Sequence, residues 1–94
     1  MIAEASLTDT AALVALWEAC GLTRPWNPPT PDIARALAGP ASTILVARRD
    51  GALAGSVMAG HDGHRGWVYY LAVAPDARRA GLGRALMDAA EAWL

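Results

Sequence analysis

The most constraining feature of this chain is a strand-forming segment that is followed closely by two glycines and a helical pattern. Trp67 to Val73 is aromatic and β-branched almost throughout, which predicts a strand. Pro75 ends this segment, and Gly81 and Gly83 stand where apolar residues begin to recur at helical spacing. The pattern therefore predicts that the last helix begins close to the end of a strand.

The other segments of the chain predict the element order β-α-α-β-β-β-α. The turn residues Arg49-Asp50-Gly51 predict a hairpin between two of the strands. The expected fold class is α/β, with a mostly antiparallel sheet flanked by helices. The expected elements before the last strand are a strand at 2–5, helices at 9–20 and from Thr30, and strands at 43–47 and 52–60.

Composition excludes several classes of partner. The net charge is -1 and no broad basic face is evident, so nucleic acid is not expected as a partner. No apolar run approaches the roughly 20 residues of a membrane span, and the first residues do not resemble a signal peptide. The one cysteine fits a reducing cytoplasm. Too few ligands at known spacing are present to predict a metal site.

The two glycines predict a phosphate site at the start of the last helix. The first turn of a helix has unpaired amides and partial positive charge, and glycine lets a diphosphate approach the backbone. Arg78, Arg79 and Arg84 flank this turn and can neutralise charge. The Walker loop is excluded because Arg84 follows Gly83, and the dinucleotide fingerprint because Leu86 replaces its third glycine.

The segment Arg78-Arg79-Ala80-Gly81-Leu82-Gly83 resembles motif A of the GNAT acetyltransferases, Gln/Arg-x-x-Gly-x-Gly/Ala. The segments 24–27, 62–66 and 69–71 also look like the small bacterial YpeA-type members. This resemblance implies a three-layer acyl-CoA N-acyltransferase-like fold, with motif A at about 67–86. It implies transfer of an acetyl group from acetyl-CoA to a primary amine by direct attack. A non-catalytic or truncated acyl-CoA-binding module is the alternative.

The resemblance also assigns roles to individual residues. Backbone amides of 79–84 would hold the CoA pyrophosphate, and the strand end at 71–73 would pair with the pantetheine arm. The N–H of Val73 is the expected donor to the thioester carbonyl. The cofactor-binding residues implied are Leu71, Ala72, Val73, Arg78, Arg79, Ala80, Gly81, Leu82, Gly83 and Arg84.

Catalytic residues are less clearly marked. Some family members carry a glutamate base four residues before the position of Leu71, where this chain has Trp67. The acceptor amine must lose a proton, and the candidates for handling it are Asp62, His61, His64 and Tyr69. A solvated loop is the favoured interpretation of the two histidines. Strand alternation puts Tyr69 and Tyr70 on opposite faces, so at most one can face the site, and packing is favoured for each.

Trp26 and Asn27 are candidates for lining the acceptor pocket, although Trp26 could equally cover the core. The family fold implies a longer domain than residues 1–94, with a further strand, a helix and a closing hairpin. The tyrosine that commonly protonates the departing thiolate belongs to that further part. The chain is therefore expected to be the N-terminal portion of one N-acetyltransferase domain. The open edge of the strand Trp67 to Val73 predicts pairing between two copies.

Overall fold

A computed structural model describes residues 2–26, 28–78 and 81–94 of the chain. Within these residues, four strands form one antiparallel sheet in the order β1-β2-β3-β4. The predicted element order is confirmed. The strands are β1 (Ile2–Glu4), β2 (Ser42–Arg49), β3 (Ala52–His61) and β4 (Gly66–Val73); the helices are α1 (Thr10–Ala19), α2 (Pro29–Ala38) and α3 (Leu82–Trp93), with short 3₁₀ turns at Leu7–Asp9 and Pro75–Ala77.

The sheet is covered on both faces, which confirms the three-layer arrangement. Successive side chains of a strand point to opposite faces. Ile44 and Val46 of β2 pack in the core formed with α1 and α2, whereas Leu45 and Ala47 pack in the core formed with α3. All four side chains are buried, so residues 44–47 of this strand form a continuous apolar run.

The predicted hairpin joins β2 to β3. Asp50 and Gly51 both have positive φ, at 54° and 83°, which is the backbone of a type I′ turn. Arg49 pairs with Ala52 directly across the turn. The local turn residues therefore fix the register at this end of the sheet.

Gly55 of β3 allows α3 to lie close to the sheet. A Cβ at this position would come within 2.8 Å of Leu86 Cδ1 and 3.0 Å of the Ala72 carbonyl oxygen. Leu86 is fully buried, so it has little freedom to move away. The absence of a side chain at Gly55 brings the start of α3 next to the end of β4, where the glycine motif lies.

β4 is an edge strand of the sheet that the described residues form. Its pairing with a second copy stays a prediction. Among residues 2–26, 28–78 and 81–94, no helix is long and apolar enough to cross a membrane.

Candidate functional site

The first turn of α3 offers backbone amides to an anion. Gly81 precedes the helix with a left-handed backbone (φ 71°, ψ 17°), and the Ala85 N–H bonds to its carbonyl at 3.2 Å. Helical bonds run from an amide to the carbonyl four residues earlier, so the N–H groups of residues 82–84 have no acceptor inside the helix. A Cβ built on Gly81 meets no described atom within 4 Å. The turn is therefore open to a ligand on this side.

Gly83 has a different environment from Gly81. A Cβ at Gly83 would lie 3.7 Å from Val73 Cγ2, which is an ordinary van der Waals contact. The protein itself therefore does not require glycine at this position. The predicted motif tolerates alanine there, in agreement with the available space.

The end of β4 presents its backbone at the outer edge of the sheet. The Ala74 N–H donates to the Ala54 carbonyl of β3 at 2.8 Å, so the backbone polar groups of Ala74 point toward β3. Hydrogen-bonded and non-hydrogen-bonded pairs alternate along an antiparallel ladder. The preceding residue, Val73, which is opposite Gly55, therefore directs its N–H and carbonyl away from β3.

Arg78 ties this strand end to α1. Its Nε donates to the Val73 carbonyl at 3.1 Å, and its Nη2 lies 3.7 Å from Cys20 Sγ. Cys20 Sγ also donates to the Val73 carbonyl at 3.4 Å. The sequence predicts Arg78 as a group that neutralises phosphate charge, and this role stays a prediction. Its contacts show a guanidinium held against the strand end, close to the glycine turn.

Arg84 is the other described arginine at the turn. Its side chain is 86% exposed and its Nε lies 3.5 Å from Asp88 Oδ1 one turn later. An exposed pair of this kind contributes little to stability. The guanidinium can therefore leave Asp88 for a stronger anion at little cost. Arg79 and Ala80, which the sequence also assigns to the cofactor, lie outside the described residues.

β4 contains a bulge. Ser56 pairs with Ala72 and Met58 pairs with Tyr69, so Val57 alone stands opposite two residues, Tyr70 and Leu71. Tyr70 has φ 54°, a left-handed conformation that is uncommon for a bulky residue. The extra residue breaks the alternation of side chains along the strand.

A cavity of about 540 Å³ lies beside this bulge. Its walls include the aromatic side chains of Trp67, Tyr69 and Tyr70 from β4, with Asp32 and Arg35 from α2. Both tyrosines line this cavity, so the predicted alternation, which put them on opposite faces of the sheet, fails at the bulge. Tyr69 is 60% exposed there.

Asp32 is the one carboxylate among the described residues that line this cavity. Its Oδ2 accepts a hydrogen bond from the Tyr70 hydroxyl at 3.1 Å, and its other oxygen pairs with Arg35 on the next turn of α2. The Asp32 side chain is only 17% exposed, whereas Arg35 is 73% exposed. The carboxylate is therefore held in place while its cationic partner extends into solvent.

Trp67 occupies the strand position where some relatives would carry a glutamate base. Its ring lies over Gly60 on β3, where a Cβ would come within 2.1 Å of it, and it packs at 5.4 Å from the Tyr69 ring. This residue supplies an apolar wall and no proton acceptor.

Asp62 and His64 lie in the β3–β4 turn, and neither lines the larger cavity. Asp62 Oδ1 accepts the amides of Arg65 and His64, at 2.8 and 2.9 Å. These two bonds, with the Arg65 amide the larger cause, hold the pKa of Asp62 below its usual value. His61 and His64 line a separate cavity of about 320 Å³. The structure therefore does not place Asp62, His61 or His64 in the cavity that Tyr69 lines.

Trp26 is 79% exposed. It does not cover the core, and it is not part of the wall of the larger cavity. Asn27, the other predicted acceptor contact, lies outside the described residues. Within the described part of the chain, no three His, Cys, Asp or Glu side chains gather as metal ligands.

Sequence reasoning missed Asp32 and Ser56. Asp32 is an ordinary acidic residue in the first turn of a helix, and Ser56 stands in an apolar strand next to Gly55. Their partners lie 38 and 14 residues away in the chain, so no local spacing marks them.

Comparison with known proteins relates residues 10–94 to the Acetyltransferase (GNAT) family. An acetyltransferase of Pectobacterium atrosepticum is 49% identical over 83 residues, which make up 88% of this chain and 59% of that relative. An acetyltransferase of Yersinia enterocolitica is 49% identical over 84 residues, 89% of this chain and 60% of the relative. The chain thus spans about 59–60% of the length of these relatives.

The N-acetyltransferase PaiA of Thermoplasma acidophilum, solved in complex with coenzyme A, has a similar fold. Its TM-score is 0.74 at 17% identity, and the match covers 97% of this chain and 69% of that chain. At this identity the likeness shows the fold alone.

Proposed function

The chain belongs to the acetyltransferase (GNAT) family, and on that premise we propose that it binds acetyl-CoA for transfer of the acetyl group to a primary amine. The observation that carries this proposal is the open first turn of α3, which lies next to the outer edge of β4. We propose the cytoplasm as its compartment, on the argument from its single cysteine.

The residues at the turn fit a diphosphate. The amides of Leu82, Gly83 and Arg84 would donate to it, and the Arg84 guanidinium would add charge. The open space beside Gly81 leaves room for the group to approach the backbone. Backbone donors of this kind at a helix N-terminus suit an anion such as phosphate better than an uncharged ligand.

The edge of β4 fits an extended arm that carries amide groups. Val73 directs its N–H outward, and an extended ligand can pair with such an edge as an added strand would. The acetyl thioester supplies an activated acyl group when bound. Outward amides near the end of β4, such as that of Val73, would donate to the acyl carbonyl oxygen and stabilise negative charge there.

The cavity beside the bulge is the proposed acceptor pocket. A primary amine is an ammonium ion near neutral pH and must lose a proton before it attacks. Asp32 is fixed in the cavity wall and can attract the ammonium or receive its proton through water. Tyr69 lines the same cavity and remains a candidate for handling the amine proton, whereas Asp62 and His64 have weaker support from their position.

Acetyl-CoA and CoA are expected to raise the melting temperature of the chain, whereas ATP is not. A ligand that binds only the folded state at 100 times its Kd stabilises by about 2.7 kcal/mol. For a domain of this size that corresponds to roughly 10–20 °C. Differential scanning fluorimetry at matched concentrations measures this. An equal shift with ATP would favour a general nucleotide-phosphate binder.

A thiol-release assay with a panel of primary amines then tests transfer. Release that depends on the amine supports the enzyme. Stabilisation by acetyl-CoA with no release for any amine would support the alternative, a non-catalytic acyl-CoA-binding module.

Asp32→Asn is expected to lower kcat/KM by about 100-fold, the lower end of what a positioned acid or base contributes. The matched change Asp62→Asn should lower it by less than about threefold, since a carboxylate held at low pKa by two amides is a weak base. Steady-state kinetics with the amine from the panel measure both. A larger loss of kcat/KM for Asp62→Asn than for Asp32→Asn would instead assign the handling of the proton to the β3–β4 turn.

A further inference from the structure

Tyr70 is held in its left-handed conformation at three points. Its ring stacks on Trp17, with centroids 3.9 Å apart and planes within 8°. Its hydroxyl donates to Asp32, and its carbonyl accepts from Ser56 Oγ at 3.0 Å. A bulky residue persists at positive φ only where the surroundings over-determine it. These three contacts meet that requirement at the centre of the bulge.

The contact with Ser56 has a fixed direction. Trp17 Nε1 lies 2.9 Å from Ser56 Oγ, and an indole N–H can only donate. Ser56 Oγ therefore accepts from Trp17, and its own proton is left for the Tyr70 carbonyl. Ser56 and Trp17 are both fully buried, so water does not compete for these bonds. The order of donation is Trp17 N–H to Ser56 O–H to the Tyr70 carbonyl.

This carbonyl belongs to the same peptide group as the N–H of Leu71. In a planar trans peptide the carbonyl and the N–H point in opposite directions. Because Ser56 on β3 holds the carbonyl, the Leu71 N–H is aimed away from β3, toward the outer edge of β4. Leu71 lines the cavity and is 42% exposed.

We infer that Ser56 is a positioning residue, which aims the Leu71 amide at the carbonyl of the bound acyl group. The inference rests on the proposed function, since it needs an acyl thioester along β4. It assigns the control of the Leu71 amide to a buried hydroxyl on the neighbouring strand. The role of Ser56 is separate from holding CoA, because the pyrophosphate turn lies at the start of α3.

The test measures the carbonyl ¹³C resonance of [1-¹³C]acetyl-CoA bound to the chain, together with the affinity for CoA. A hydrogen bond to a carbonyl oxygen moves this resonance downfield, and we expect this with the unchanged protein. Ser56→Ala should lose about half or more of that displacement while CoA affinity changes by less than about twofold. Ser56→Cys, which has a slightly larger side chain and a weaker donor, should give a displacement between those of the unchanged protein and Ser56→Ala. It replaces the alanine variant if that variant does not fold.

Thr43→Val is the matched control. Thr43 is also a buried hydroxyl in the sheet, but it donates to Glu4 on β1, away from the bulge. It should leave the carbonyl displacement unchanged. An unchanged displacement in both Ser56 variants would overturn the inference and leave the proposed function intact. Failure of the unchanged protein to bind either CoA or acetyl-CoA would overturn the proposed function and the inference with it.

Discussion

Replacing Gly81 with asparagine is expected to weaken CoA binding about 1,000-fold, or about 4 kcal/mol, which is the contribution of about two charge-assisted hydrogen bonds. The substitution places a side chain in the open space beside the first turn of α3, where the diphosphate would approach. Asparagine tolerates the left-handed backbone better than most residues, so the fold should be retained. Isothermal titration with CoA measures the loss.

Two controls separate a blocked site from a disturbed backbone. Gly63 also has positive φ and open surroundings, but it lies in the turn before β4, at the opposite end of that strand from the first turn of α3. Gly63→Asn should therefore cost similar stability and leave CoA affinity unchanged. Gly83→Ala should also bind CoA, because its Cβ fits beside Val73. If Gly81→Asn binds CoA as well as these controls do, the pyrophosphate is not held at this turn.

Replacing Gly55 with valine is expected to destabilise the fold by about 3 kcal/mol, at the upper end of the cost of overpacking a core. The new side chain would overlap Leu86 and crowd the Ala72 carbonyl, so α3 would have to move away from the sheet. The melting temperature should fall by about 12–24 °C. Thermal unfolding followed by circular dichroism measures this change.

A double-mutant cycle identifies the cause. Leu86→Ala alone should cost about 2–5 kcal/mol through the cavity that it leaves. Combined with Gly55→Val, it should cost at least about 1 kcal/mol less than the sum of the single changes, since the alanine makes room for the valine. Strict additivity would show that Gly55 is required for another reason, such as backbone conformation.

The element order, the hairpin and the position of the glycine turn could be predicted because their signals are local. Asp50 and Gly51 specify a tight turn within four residues, and helical amides at a first turn are unpaired whatever lies around them. The three layers were implied by the family resemblance, and they agree with a strand that is apolar on both faces, as β2 is. The candidate phosphate site could therefore be predicted from the sequence alone.

The cavity and its contents could not be predicted in the same way. Strand alternation predicted that Tyr69 and Tyr70 lie on opposite faces of the sheet. Because β4 has one extra residue at the bulge, both side chains line the same cavity. Trp26 looked like a pocket or core residue and is largely exposed. Neither outcome has a signal in the neighbouring sequence.

By itself, the sequence determined which backbone groups are left without partners, because the length of a helix and the chemistry of a turn decide that locally. Only the tertiary structure decided which side chains meet at the bulge. Ser56, Trp17 and Asp32 reach Tyr70 from three other elements, at chain separations of 14 to 53 residues. The bulge is retained because the stacking and hydrogen bonds made there offset the strain of a left-handed tyrosine, and such contacts form only when α1, α2 and β3 have packed together.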